Sequence, residues 1–256
     1  MKQQPFALVT NASQFAGPAA VQALVRAGYR VLVQDPVFAT QAGFAAFCQD
    51  VVPAHQHAVQ AVKGTEPEQW LAPYADAGSA LTVVVSNDVY PALQLPIAAV
   101  SLHQLEQTLA ALVVAPFRLL QAVQPLMSAQ GRGSIIMITS CRTDLPQAGG
   151  ALPDLARAAA NALMRSAAIE LAPFGVAVNA IAPNFYYSEA YYPRARFIDD
   201  PAGAAFVAAQ VPAGRLGQPD ELADLIAYLA GIRGAFHTGS EIKFAGGWPM
   251  GPRRPV

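Results

Sequence analysis

The chain has 256 residues, enough for one large or two small domains, and 16 lysines and arginines against 17 acids leave it a net charge of −1. Charges this few and this even argue against the basic footprint of a nucleic-acid binder and against a cationic membrane-surface patch. Two cysteines and four scattered histidines make neither a disulfide framework nor a metal site.

The N-terminal "MKQQPFALVTNAS" lacks an apolar core followed by a small-residue cleavage site, so no signal peptide is expected. No unbroken apolar run approaches the roughly 18 residues of a membrane span. The expectation is a soluble, cytoplasmic protein with no membrane partner.

In chain order, "FALVT" from position 6 predicts a strand and "GPAAVQALVRAG" from 17 a helix. "RVLVQ" from 30 predicts the second strand, and "PEQWLAPYADAG" from 67 a helix before the strand "LTVVVS" at 81. A long helix is expected over 101–126, then a strand "SIIMITS" at 134 and a helix from Pro153 to Gly175. "VAVNAIA" at 176, the helix "PDELADLIAYLAG" at 219 and the strand "EIKFAG" at 241 complete the pattern. Apolar strands alternating with helices predict one α/β domain over 1–256, a doubly wound, Rossmann-like parallel sheet covered on both faces. The long interruption at 183–215, rich in aromatics and prolines, is expected to pack as a lid over the C-terminal edge of the sheet. The tail "GGWPMGPRRPV" is too rich in proline and glycine for a helix, and is expected to reach a neighbouring subunit.

In such folds the first strand-to-helix turn holds a dinucleotide, because glycines let the backbone approach the pyrophosphate at a helix N-terminus. Here the turn reads "VTNASQFAGPAA". It resembles the turn of the short-chain dehydrogenase/reductase superfamily, Thr-Gly-x-x-x-Gly-x-Gly. Aligned on Thr10, the first two glycines are Asn11 and Phe15, and only Gly17 is kept. The superfamily's Asn-Asn-Ala-Gly reads Ser86-Asn87-Asp88-Val89, and the asparagine expected before Phe117 is Leu112. Asp35, where an acid would hold the ribose, remains. The resemblance therefore implies that the loop is degenerate at Asn11, Phe15 and Val89, and that this chain binds no cofactor. Phe15 reads either as a core aromatic on a helix or as a plug in the cofactor pocket.

Thr10, Phe15 and Gly17, with "VVSNDVY" at 84 and "IAPNFYYSEAYYP" at 181, also resemble the halohydrin dehalogenases, a branch that works without nicotinamide. That likeness implies a Ser-Tyr-Arg triad in which the arginine lowers the tyrosine's pKa and the tyrosinate takes a hydroxyl proton while an epoxide closes. Ser140 and Arg157 fit its register as remnants; the tyrosine position is Pro153, which has no acid or base to offer. "LPD" places Pro153 at a first helical position, with Asp154 in the positive first turn. Asp144, Asp154 and the lid tyrosines Tyr186, Tyr187, Tyr191 and Tyr192 are the candidates for a replacement base. Ser140 and Arg157 also read as a strand-end hydroxyl and a helix cation paired with an acid or with lid carbonyls. The dehalogenase likeness implies a residual pocket of Phe15, Pro183, Asn184, Phe185 and Tyr186, with backbone amides after Pro183-Asn184 forming a halide nest.

Two functions follow from the resemblance. One is a non-catalytic subunit that pairs, through apolar faces of the helices at 101–127 and 153–173, with a catalytically active short-chain dehydrogenase carrying NAD, in a hetero-oligomer such as a tetramer. In that reading the chain is similar to the inactive subunit of the two-subunit dehydrogenase that oxidises a hydroxybenzylsuccinyl-CoA thioester, although no residue specifies that substrate. The other is a cofactor-independent dehalogenase-like lyase with a non-standard base. An NAD-dependent oxidoreductase acting alone fits least.

Overall fold

The computed structural model describes residues 5–74 and 80–251. The strands β1 (Phe6–Val9), β2 (Arg30–Val33), β3 (Val59–Ala61), β4 (Leu81–Asn87), β5 (Gly133–Ile138), β6 (Val176–Pro183) and β7 (Glu241–Phe244) form one sheet in the order β3-β2-β1-β4-β5-β6-β7. Every pairing is parallel, as the unbroken apolar strands predict.

Side chains alternate across the sheet and so feed two cores. Ile136 and Ile138 face α1 (Gly17–Arg26), α2 (Gln41–Val51) and α9 (Pro219–Ala230), where Leu24, Phe47 and Ile226 meet them. Ile135 and Met137 face α5 (Ala115–Gln130) and α6 (Ala151–Leu171), through Val123, Met127 and Met164. A third cluster, with Phe185, Val207 and Trp248, packs the lid.

The elements β3 and α2 are additions to the sequence-based pattern, and α3 (Pro67–Leu71) is shorter than the helix expected there. Residues 75–78 of that expected helix lie outside the described residues, as do residues 252–256 of the tail. The described part of the tail packs on its own chain: Trp248 is buried among the lid residues.

The long helix at 102–130 is interrupted. It runs as α4 (Leu102–Leu109), with Ser101 and Gln104 in a capping box, then a π turn over 110–114, then α5. Pro116 has no N–H to give the carbonyl of Leu112, and the wider turn absorbs that missing bond. By length and composition, Leu102–Gln130 is apolar enough to cross a membrane. In the fold it covers the sheet, burying Leu119, Leu120, Val123 and Met127.

The lid is more ordered than a loop. It holds the short α7 (Arg194–Phe197) and α8 (Pro201–Gln210), the latter capped by the Asp200 carboxylate on the N–H groups of Ala202 and Gly203.

Candidate active site

Strand order reverses between β1 and β4, and the crevice above that switch point is where doubly wound sheets place ligands. The turn after β1, the loops after β4 and β5, and the lid close around a cavity of about 760 Å³. Phe15, Tyr90, Ser140, Arg157, Pro183 and Tyr191 are among its walls.

The turn after β1 keeps a glycine-type backbone without the glycines. Asn11 and Phe15 have φ of 43° and 50°, the left-handed region that asparagine tolerates and phenylalanine seldom adopts. Phe15 lies in the turn, not on a helix, and its ring meets Tyr186 and Tyr191 edge-on, with centroids 5.5 and 4.9 Å away. Asn87 ties the turn to β4: its Nδ2 donates to the carbonyls of Asn11 and Gln14, both at 2.9 Å, and Asn11 Nδ2 donates back to the Asn87 carbonyl at 2.7 Å. The retained Gly17 has a packing reason, since a Cβ there would stand 2.5 Å from the Ala12 carbonyl oxygen. Asp35, the acid at the ribose position, accepts bonds from the Ser13 N–H at 3.0 Å, the Ser13 hydroxyl at 2.6 Å and the Val37 N–H at 3.1 Å. Val89 is half-buried in the loop after β4 and is not part of the cavity wall.

Ser140 and Arg157 are both brought to the cavity. The Ser140 hydroxyl donates to the Pro183 carbonyl at 2.9 Å and accepts from the Arg142 N–H at 3.2 Å. Arg157, only 4% exposed, donates from Nη1 to the Ile138 carbonyl at 3.2 Å, and from Nη2 to the Asp88 carbonyl at 3.0 Å and the Tyr191 hydroxyl at 3.2 Å. Pro153 lines the same wall, one helical turn before Arg157. It is the third residue of α6 rather than the first, because Ala151 and Leu152 join the helix. The position still costs no hydrogen bond: the first helical N–H groups have no intrahelical acceptor, and the earliest such bond in α6 is from Asp154 N–H to the Gly150 carbonyl at 2.9 Å.

The candidate replacement bases fall into three groups. Asp154 forms an ion pair with Arg142 and Asp144 one with Lys243, and neither carboxylate is in the cavity wall. Tyr187 donates to Glu189 at 2.8 Å, and that carboxylate raises its pKa. Tyr192 donates to Asn184 Oδ1 at 2.8 Å and burial pushes it up to about 12; burial drives Tyr186 upward as well. Only Tyr191 reaches Arg157, and its hydroxyl is held from both sides by Tyr90, donating to the carbonyl at 2.8 Å and accepting from the N–H at 3.1 Å.

Of the five pocket residues implied by resemblance, Phe15, Pro183, Asn184 and Tyr186 line the cavity; Phe185 does not. Phe185 has φ of 53°, which turns its ring away toward Tyr192, Phe206 and Trp248. The implied halide nest is largely spent, since the Phe185 N–H donates to Asn184 Oδ1 and the Tyr187 N–H to the Gly217 carbonyl, each at 3.0 Å.

Sequence reasoning missed Asp88 as a working group. Its carboxylate is buried beside the Arg157 anchor and accepts from the Ser86 hydroxyl at 2.8 Å. Burial raises its pKa to about 7, against the opposing pull of Ser86 and Arg157. The signal available was an acid at the end of an apolar strand, in a place the superfamily gives to alanine.

Residues 15–249 match the family described as enoyl-(acyl carrier protein) reductase. The 3-oxoacyl-(acyl-carrier-protein) reductase of Escherichia coli is 37% identical over 134 residues, 52% of this chain and 53% of that protein. A tropinone reductase homologue of Arabidopsis thaliana is 33% identical over 131 residues, 51% of this chain and 49% of that one. The chain thus spans about half the length of the curated relatives it matches. Likeness over the whole chain comes from solved structures. A halohydrin dehalogenase bound to ethyl (2S)-oxiran-2-ylacetate is 31% identical with a TM-score of 0.89, covering 98% of this chain and 100% of that one. A structure described as a dehalogenation enzyme is also 31% identical, with a TM-score of 0.87 and coverage of 96% and 98%.

Proposed function

The chain belongs to the short-chain dehydrogenase/reductase superfamily, and from that membership we propose that it is a non-catalytic subunit of a hetero-oligomer whose other subunit is an active, NAD-carrying dehydrogenase. The observation that carries this reading is Pro153 in the cavity wall one turn before Arg157, where the superfamily needs a phenol. With no ionisable side chain at that position, the serine and arginine have nothing to activate.

The turn after β1 supports the same reading, because its residues do not fit a nicotinamide dinucleotide. The Phe15 ring is wedged against Tyr191 and Tyr186, and the Asp35 carboxylate is spent on Ser13 and Val37. The apolar side chains that α5 and α6 leave exposed, Phe117 on one and Leu155 and Ile169 on the other, suit burial against a partner of the same fold. In this reading the NAD belongs to the partner, the assembly is a tetramer, and its substrate is an aromatic succinyl-CoA derivative oxidised at a hydroxyl.

Calorimetric titration of the isolated chain with NAD should give no binding heat. Co-expression with its active short-chain dehydrogenase partner should yield one complex on size exclusion. Tight NAD binding by the isolated chain would overturn the proposal.

One observation favours a second reading, a dehalogenase-like lyase: the Tyr191 hydroxyl stands beside Arg157 as the missing phenol would. That reading predicts halide release from 1,3-dichloro-2-propanol, lost in Tyr191→Phe; no release leaves the non-catalytic reading in place.

A further inference from the structure

Several polar groups of the cavity wall are without partners among the described residues. Arg157 has five N–H groups, and the three described bonds leave one on Nη1 and the one on Nε without a partner among the described residues. The Thr139 hydroxyl in the same wall is buried and has no partner among the described residues. The side chains of Gln94 and Gln147 and the guanidinium of Arg196, which lies over the Phe197 ring, have no hydrogen bond among the described residues. The two acids of the wall are occupied: Glu189 accepts from Tyr187, and Asp200 caps α8.

A buried guanidinium normally has a carboxylate on it, because a charge withdrawn from water without a counterion is costly. Arg157 has only carbonyls and a phenol. Asp88 touches it through its main-chain carbonyl, while its carboxyl turns to Ser86 and burial raises that carboxyl's pKa to about 7. Phe15, Tyr186, Phe197 and Phe206 give the wall an aromatic side, around a volume that suits a ligand of moderate size.

We infer that this cavity is a receptor site for a carboxylate with an aromatic or otherwise apolar body, its anionic end on Arg157 and its body along the aromatic lid. The site holds the ligand without turning it over. The inference rests on the reading of the chain as a non-catalytic subunit with a blocked dinucleotide turn.

The test is calorimetric titration of the full chain with 4-biphenylacetate and, separately, with the neutral 4-biphenylacetamide and with NAD. The carboxylate should bind at least about tenfold more tightly than the amide, the size of one charge-assisted contact. Arg157→Met should bring the two to parity. Because Arg157 is also a structural anchor, Ala202→Trp provides an independent variant: it fills the cavity from α8, leaves the Arg157 bonds in place, and should abolish binding of both probes while circular dichroism stays native. Equal affinity for carboxylate and amide, or undiminished binding in Ala202→Trp, would overturn the inference. Heat from NAD would overturn the parent reading and this one with it, whereas no heat from any probe would overturn this one alone.

Discussion

The Tyr191 hydroxyl stands 3.2 Å from Arg157 Nη2 and is gripped at the same time by both backbone polar groups of Tyr90. Three elements that are distant in sequence, the loop after β4, α6 and the lid, are thereby pinned at one oxygen atom. Tyr191→Phe leaves the Tyr90 N–H and carbonyl and one guanidinium proton without these partners, which costs about 1–3 kcal/mol when such groups stay buried. Thermal unfolding should move down by about 2–4 °C for each kcal/mol lost, as for chains of this size. An unchanged midpoint would mean that the lid is not fastened there.

Pro153→Tyr tests whether the triad or the turn is the deeper obstacle. Restoring the phenol one helical turn from Arg157 puts back an acid in register. The Phe15 ring still stands against Tyr191 and Tyr186 in the turn, so NAD-linked oxidation of simple secondary alcohols should remain undetectable in the folded variant. Robust turnover by Pro153→Tyr would contradict the blocked-turn argument.

Gly17→Ala separates packing from ligand binding as the reason for the one surviving glycine. The added carbon would lie 2.5 Å from the Ala12 carbonyl oxygen and 2.7 Å from its Cα, backbone atoms that cannot swing aside. A loss of about 2 kcal/mol or more is expected, read as a lower urea midpoint with unchanged slope. A neutral result would mean that the turn relaxes, and that phosphate approach was the reason to keep glycine.

These variants also mark what the sequence disclosed. The sheet was legible because its central strands are buried on both faces, so "VVVS" and "IIMI" read as continuous apolar runs. The edge strand β3 was not, because "VQA" is too short to carry a period. In α2, Gly43 breaks up an already weak helical pattern, though its own packing against the Val37 carbonyl gives it a reason to be there. Ser140, Pro153 and Arg157 were legible only through the dehalogenase resemblance, whose triad register they fit. The direction of the Phe185 ring was not, because it depends on a backbone φ of 53° that no composition announces. The link between Asp88 and Arg157 joins residues 69 apart in sequence, and it appears only once the loop after β4 and the helix α6 come together.

Asp88 makes stability depend on pH in the direction opposite to most carboxylates. Burial raises its folded pKa to about 7, whereas an unfolded aspartate titrates near 3.9. Between these values the folded state holds a proton that the unfolded state has released, so this group's contribution is complete below about pH 4 and is lost as pH rises toward 7. The slope is at most about 1.4 kcal/mol per pH unit. Asp88→Asn keeps a neutral group in place, so the gap between its stability and the wild type's should widen in the variant's favour from pH 4 to 7, measured by urea unfolding at a series of pH values. Parallel curves would show that Asp88 stays ionised.

The outer face of α6 carries Leu155, Ala158, Ala162 and Ile169, all exposed and in helical register, and α5 adds Val114 just before it and Phe117. Surfaces of this kind expose apolar area that association would remove from water, at about 25 cal/mol per Å². A carboxylate placed there strikes at association without touching the sheet cores. Phe117→Glu and Ile169→Glu should therefore leave the isolated chain's unfolding midpoint nearly unchanged, since surface substitutions usually shift stability by less than about 0.5 kcal/mol. Each should weaken assembly with the active subunit by roughly ten- to hundredfold, the equivalent of about 1.5–3 kcal/mol for one buried side chain. Light scattering of the mixed subunits reads the outcome directly: a complex of undiminished mass and stability from the double variant would place the docking surface elsewhere on the molecule.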